Sequence, residues 1–235
     1  MLKSKNNEIK TDKSEKLGDA IIFALKDPTY TMLFLGFFSC GFQLAFITAH
    51  FPAFIVESSS PIIQGSLISL VCNSVESLGA LSMSLIGLFN IVGSILAGAL
   101  GKRNSKKYFL ALIYSGRTIA SILFIILPIT PISIIIFSIV MGALWLATVP
   151  LTSGVIGYIY GMQYMGTLYG IVFLSHQIGS FVGIWLGGSL YDMFGNYNLV
   201  WWVGIGVGAF SAIIHLPVNE KPLSERTSVA TTWFY

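Results

Sequence analysis

The sequence predicts an all-α, polytopic membrane protein built as a bundle of six transmembrane helices. Of its 235 residues, 54% are hydrophobic and only 10% are charged. A water-soluble domain usually carries about a quarter charged residues, so this chain cannot cover a surface that faces water. Its apolar residues also gather into long runs separated by short polar breaks. These observations exclude the classes of soluble enzyme.

Six segments are long and apolar enough to cross a bilayer, which takes about 20 residues in a helix. The breaks between them include a basic run at 101–107, a turn between Pro128 and Pro131, and a Gly/Asn-rich turn at 192–198. The expected spans are 30–55, 78–100, 108–127, 132–156, 167–190 and 199–216. The segments 1–29 and 217–235 are then polar tails that flank a transmembrane domain over 30–216.

The placement of lysine and arginine predicts the orientation. If the spans alternate in direction, 12 of the 13 basic residues lie on the side of the two termini, and the remaining one, Arg117, lies within a span. Loops rich in Lys and Arg stay in the cytoplasm. Both termini are therefore predicted to be cytoplasmic, in the cell (inner) membrane. On the other side, the link at 58–77 has an apolar middle and is interpreted as a surface helix, a lid or a tolerated insertion.

The basic run after the second span resembles the cytoplasmic loop signature of the major facilitator superfamily in a degenerate form. Lys102 stands where that signature has an acidic residue, and the other matching residues are Gly98, Arg103, Lys106 and Lys107. In that family the degenerate copy belongs to the C-terminal half. Further segments resemble bacterial facilitators close to the monocarboxylate and oxalate/formate branch, at 36–52, 85–98, 145–154 and 166–197.

This resemblance implies that the chain, over 27–222, is the C-terminal six-span half of a twelve-span secondary transporter. In such proteins the solute lies between the two halves, near the middle of the membrane. The expected partners are the lipid bilayer, a small solute such as an organic anion, and a second six-span half. That half is a separate chain, a second copy of this chain or a preceding segment. We expect no enzymatic activity, cofactor, metal or nucleic-acid partner.

Two other functions are compatible with the residues. A truncated or non-transporting membrane protein would keep the same spans and the same charge bias. An intramembrane hydrolase of the rhomboid type would need a serine in a Gly-x-Ser-Gly motif, whereas Leu151 replaces the first glycine before Ser153. The later histidine, His176, lies in an ordinary packing context.

Polar side chains within the spans are the candidate site residues, because they are costly to bury in a membrane. Each either lines the path of the solute or bonds to a neighbouring helix. The candidates are Gln43 and His50 on one face of the first span, Asn90 on the second, and His176 and Gln177 on the fifth. The fifth span also carries a seam of small residues for close helix packing, at Ser175, Gly179, Gly183 and Gly187.

Arg117 is the one formal charge in the middle of a span. It either selects an anionic solute or binds a structural partner, such as the carbonyl groups of a broken helix or an acid on the second half. Pro150 is expected to kink the fourth span. His215 is expected at the membrane interface, and Cys40 and Cys72 are interpreted as packing residues.

Overall fold

The predicted fold class is confirmed by a computed structural model of the chain. The structure describes residues 17–59, 74–102, 104–223 and 225–226, and the regular structure within these ranges is helical. Most of the link at 58–77, most of the first tail and Arg103 lie outside the described residues. The roles expected for them therefore stay predictions.

The described helices match the order of the expected spans. They are α1 Leu17–Lys26, α2 Pro28–Ser59, α3 Val75–Leu100, α4 Lys106–Ile126, α5 Pro131–Leu144, α6 Thr148–Tyr160, α7 Met165–Phe194 and α8 Asn198–His215. Helices α5 and α6 together form one span, so six helical segments are long and apolar enough to cross a membrane. Every span begins one to three residues before its expected start.

Capping residues explain two of these early starts. Ser74 and Thr130 each accept a hydrogen bond from a backbone N–H in the first turn of α3 or α5, and a serine hydroxyl bonds back to each cap. These capping boxes bind N–H groups that have no partner inside the helix. At the other end of α7, Gly195 adopts a left-handed conformation with φ of 68°, which favours glycine and ends that helix.

Helix α2 is the centre of the bundle. It packs against α7 on one side and against α8 and α3 on others, while α4 packs against α8 and the α5/α6 span. Buried residues make up 61% of the most apolar window of α2, but only 17% of that of α3 and 33% of that of α7. Helices α3 and α7 therefore leave most of their surface open in the isolated chain.

The small-residue seam of α7 brings it into close contact with α2. The seam residues Ser175, Gly179, Gly183 and Gly187 are all buried. A methyl group at Gly179 or Gly183 would collide with the backbone carbonyl oxygen of Phe38 or Phe42 on α2. In lipid, where water does not drive helices together, close backbone approach of this kind is a principal source of association.

The segment after α8 joins several helices at the end of the bundle that carries both tails. Arg226 forms an ion pair of 2.8 Å with Asp27, whose carboxylate also accepts a 2.6 Å hydrogen bond from the Tyr160 hydroxyl. Glu220 accepts hydrogen bonds of 2.6 Å from the Ser105 hydroxyl and from the Lys107 backbone N–H. The start of α2, the start of α4 and the end of α6 thus lie at one end of the bundle, as alternating spans require.

Candidate functional site

The fourth span is broken near its middle. Helix α5 ends at Leu144 and α6 begins at Thr148. Pro150 has no N–H to donate to the Leu146 carbonyl, and its ring would crowd that carbonyl in a continuous helix. The Leu146 oxygen instead accepts a hydrogen bond of 3.0 Å from Val149. The kink expected of Pro150 is therefore found about one helical turn before the proline itself.

Two of the candidate polar residues bind the backbone groups that this break releases. The Asn90 side-chain oxygen accepts a hydrogen bond of 3.0 Å from the Leu146 backbone N–H. Arg117 donates a hydrogen bond of 2.8 Å from Nη2 to the Trp145 carbonyl oxygen. Helices α3 and α4 thus each supply one side chain to the break. The contact of Arg117 agrees with one of the alternatives given for it, a structural partner among the carbonyl groups of a broken helix.

Cys40 belongs to the same cluster, so its role exceeds simple packing. Its side chain is buried, and its Sγ lies 3.5 Å from both terminal nitrogens of Arg117, which donate to it. It also lies 3.3 Å from the Thr148 hydroxyl at the start of α6. Sequence reasoning missed this contact because the residues come from three helices whose relative rotation follows only from packing.

His176 lies beside this cluster and is buried. Its ring is close to the Cys40 thiol and packs against Phe37 and Phe173, with ring centroids 5.1 Å and 5.4 Å away. Its Nδ1 lies 3.2 Å from the side-chain oxygen of Gln177. Gln177 itself is exposed on the outer side of α7.

Gln43 and His50 contact neighbouring helices. The side-chain amide of Gln43 is buried and donates a hydrogen bond of 2.9 Å to the Gly204 carbonyl on α8. His50 is partly exposed, and its Nε2 lies 3.1 Å from the Ile184 carbonyl on α7. The structure thus brings Arg117 and His176 together around Cys40, with Asn90 at the same break, and places Gln43, His50 and Gln177 apart from them.

A concave pocket of about 290 Å³ opens beside the break. It lies where α2, the α5/α6 break and α7 meet. Its wall is mostly apolar and consists of Leu44, Ala45, Thr48, Ala49, Trp145, Ser180 and Ile184. Trp145 therefore connects the break to the pocket. Its carbonyl oxygen accepts a hydrogen bond from Arg117, and Trp145 also forms part of the pocket wall.

A second concavity, of about 300 Å³, lies between α4 and α5. It is formed almost entirely by apolar residues, among them Ile119, Leu123 and Ile136, which are more than half exposed. An apolar groove on the outside of a membrane bundle faces lipid chains, so we do not regard it as a solute site.

The remaining candidates give no sign of catalytic or metal chemistry. The Ser153 hydroxyl donates to the Val149 carbonyl of its own helix at 3.0 Å. Among the described residues, no group of three or more His, Cys, Asp or Glu side chains is arranged to hold a metal ion. His215 is buried within the bundle, where its ring stacks on Tyr114 at 4.9 Å.

The basic loop signature lies at the end of the bundle that carries both tails. Gly98 is near the end of α3, while Lys106 and Lys107 begin α4. The Lys106 ammonium lies over the Tyr158 ring at 5.3 Å. The loop lacks the usual acidic residue at Lys102, yet Glu220 supplies a carboxylate to the start of α4, where a negative charge is favourable. Nothing in the local sequence indicated Glu220.

Comparison with known proteins gives two informative matches. The chain is 29% identical over 203 residues to the MFS-type transporter YcxA of Bacillus subtilis, which covers 83% of this chain and 46% of that protein. It is 32% identical over 122 residues to monocarboxylate transporter 12-B of Danio rerio, covering 51% of this chain and 26% of that protein. The resemblance to the major facilitator superfamily is confirmed. No protein-family model matches the sequence.

The chain spans less than half the length of these two major facilitator relatives. Six membrane-spanning helices in the described residues fit one half of such a transporter. The chain is therefore a multi-pass membrane protein related to transporters. The activity of a whole transporter is a matter of proposal for this chain.

Proposed function

We propose that this chain is one six-span half of a secondary transporter, and that it moves a small solute by alternating access together with a second half. One observation carries this proposal. A pocket of about 290 Å³ opens at a helix break within the span, and its wall includes residues of α2 and α7. Irregular backbone at membrane depth is tolerated where it lines a cavity or is buried in protein.

The second half is expected to cover the open surfaces of α3 and α7. These are the two spans with the smallest buried fractions in the isolated chain. In transporters built from two repeats, the solute binds at the interface of the repeats and one rocks against the other. The second half would then close the pocket from the opposite side. It is supplied by a separate chain, a second copy of this chain or a preceding segment.

We further propose that the solute is an organic anion such as a monocarboxylate. One relative is named a monocarboxylate transporter, and the pocket offers mostly apolar contacts for a short carbon chain. Both termini are proposed to be cytoplasmic, in the inner membrane, because Lys102, Lys106, Lys107 and Arg226 all lie at the end of the bundle that carries the tails.

Uptake by the complete assembly tests this function. The chain and its second half are reconstituted into proteoliposomes. A concentration gradient of radiolabelled lactate is imposed across the membrane, and its entry into the vesicles is measured. Trp145→Ala truncates one of the residues that line the pocket and is expected to reduce uptake. Ile119→Ala, in the lipid-facing groove between α4 and α5, is the matched control and should retain uptake.

The control variant also distinguishes the two concavities. Equal uptake by the Trp145→Ala variant and the unmodified protein, at equal abundance, would show that the pocket beside the break does not bind the solute. A loss of uptake only in the Ile119→Ala variant would indicate that the solute binds in the groove between α4 and α5. Absence of uptake for a range of short carboxylates would contradict the proposed solute class.

A further inference from the structure

The charge of Arg117 is buried deeply and has an unusual set of partners. The side chain is fully buried. Its guanidinium contacts the Trp145 carbonyl, the Cys40 sulfur and the Tyr114 ring, whose centroid lies 5.4 Å from the guanidinium carbon. None of these groups is a carboxylate. A guanidinium stays protonated in proteins, so the group carries a full positive charge inside the bundle.

The acids of the described spans lie far along the chain from Arg117 and close to the helix ends. Glu57, Glu76 and Asp192 are exposed, and each lies within three residues of the end of its helix. Asp27 forms an ion pair with Arg226 at the end of the bundle that carries both tails. Within these residues, therefore, no carboxylate balances the charge of Arg117.

This charge lies immediately behind the wall of the pocket. The carbonyl that binds Arg117 belongs to Trp145, which lines the pocket. Cys40, the other direct contact, is one helical turn before Leu44, another wall residue. A buried charge is little screened by salt, and its field acts through the apolar wall.

We propose that Arg117 determines the charge specificity of the pocket, attracting anionic solutes through its field without touching them. This inference rests on the proposed transport function. Direct contact is prevented because Arg117 is fully buried and is not among the residues that line the pocket. The hydroxyl groups of the wall are neutral, and they donate their protons to carbonyl groups of their own helices, Thr48 to Leu44 and Ser180 to His176. Arg117 is thus a positioning residue for anions.

A carboxylate introduced beside Arg117 tests the proposal while leaving the arginine in place. Cys40→Asp would neutralise the guanidinium, whereas Cys40→Asn has the same shape without the charge and is the matched control. The measured quantity is the ratio of uptake of lactate to uptake of neutral lactamide in the complete assembly. Cys40→Asp should lower this ratio about tenfold, from Coulomb attraction over roughly 10 Å at an effective dielectric constant of about 20. Cys40→Asn should retain it.

Substitutions of the arginine itself give a second, independent measurement. Arg117→Lys keeps the charge and should keep the preference for lactate, while Arg117→Met should lose it. An unchanged ratio in the Cys40→Asp variant, with lactate and lactamide uptake both measurable, would overturn the proposal. So would an equal loss in the Arg117→Lys and Arg117→Met variants. If the unmodified assembly transports neither solute, the proposed function fails, whatever the role of Arg117.

Discussion

Four of the candidate polar side chains bind the main chain of a neighbouring span, namely Gln43, His50, Asn90 and Arg117. Asn90 and Arg117 bind the N–H and the C=O of a single peptide bond in the break, between Trp145 and Leu146, and Gln43 binds a carbonyl of α8. Backbone groups that leave a helix in a membrane must find partners within the protein. At the scale of single residues, Asn90 and Arg117 therefore stabilise the irregular backbone beside the pocket, whereas Gln43 joins α2 to α8.

Replacing Asn90 tests this role directly. Asn90→Ala leaves the Leu146 N–H without its partner, and a lost bond of this kind costs about 1–3 kcal/mol. We expect amide hydrogen exchange at the break, over 144–148, to accelerate by roughly 5- to 100-fold. Ser84→Ala on the same helix is the control, because that exposed hydroxyl bonds only to its own helix. Unchanged exchange in the Asn90→Ala variant would show that the side chain does not hold the break.

At this scale the sequence identified the charged side chain within a span, but it did not predict most contacts of the polar candidates, whose roles in a site stay predictions. Arg117 was identified from its charge, and its carbonyl partner was one of two stated alternatives. The shared face of Gln43 and His50 did not reveal that they bond to different helices. Periodicity gives the relative directions of side chains on one helix, but the neighbour on each side depends on how all the helices pack. Their place on a solute path stays a prediction.

At the scale of helices, the close contact of α2 with α7 depends on small residues. Gly179→Ala would push a methyl group into the Phe38 carbonyl oxygen, so the two backbones would have to separate. Overpacking of this kind typically costs about 1–3 kcal/mol. We expect a lower unfolding temperature in detergent for this variant. Gly170→Ala, on the same helix with no atom near the added methyl group, should leave that temperature almost unchanged.

If both glycine variants unfold at the same temperature, the seam does not hold α2 and α7 together. The sequence indicated this seam well, since every fourth residue of α7 is small. It indicated the break in the fourth span less well. Pro150 was correctly taken as the cause, but the irregular residues precede it, because a proline disturbs the bonds of the preceding turn rather than its own position.

At the scale of the whole molecule, the segment after α8 joins the helix ends at the side of the bundle that carries both tails. Arg226 and Asp27 are 17% and 10% exposed, so their ion pair is partly shielded from water. A double-mutant cycle with Asp27→Asn and Arg226→Gln should give a coupling energy of about 0.5–3 kcal/mol in thermal unfolding. Lys221→Gln, an exposed position, is the control and should act additively with Asp27→Asn. If the destabilising effects of Asp27→Asn and Arg226→Gln simply add, the ion pair does not stabilise the end of the bundle that carries both tails.

The orientation of the whole molecule also follows from charge placement and can be measured. We expect a reporter fused after α8 to be accessible only from the cytoplasm, because Lys and Arg residues collect at that end. A reporter placed in the turn at 195–197 should be accessible only from outside. Exchange of the two results would reverse the topology.

The most direct test of the central claim is whether transport requires two halves. Saturable uptake of radiolabelled lactate would be compared in vesicles that contain the chain alone, as a verified monomer, and in vesicles where it is assembled with a second six-span half. The account predicts uptake only in the assembly, because the pocket of the single half is open on one side. Equal uptake by the monomer, or none by a correctly folded assembly with any short carboxylate, would contradict it.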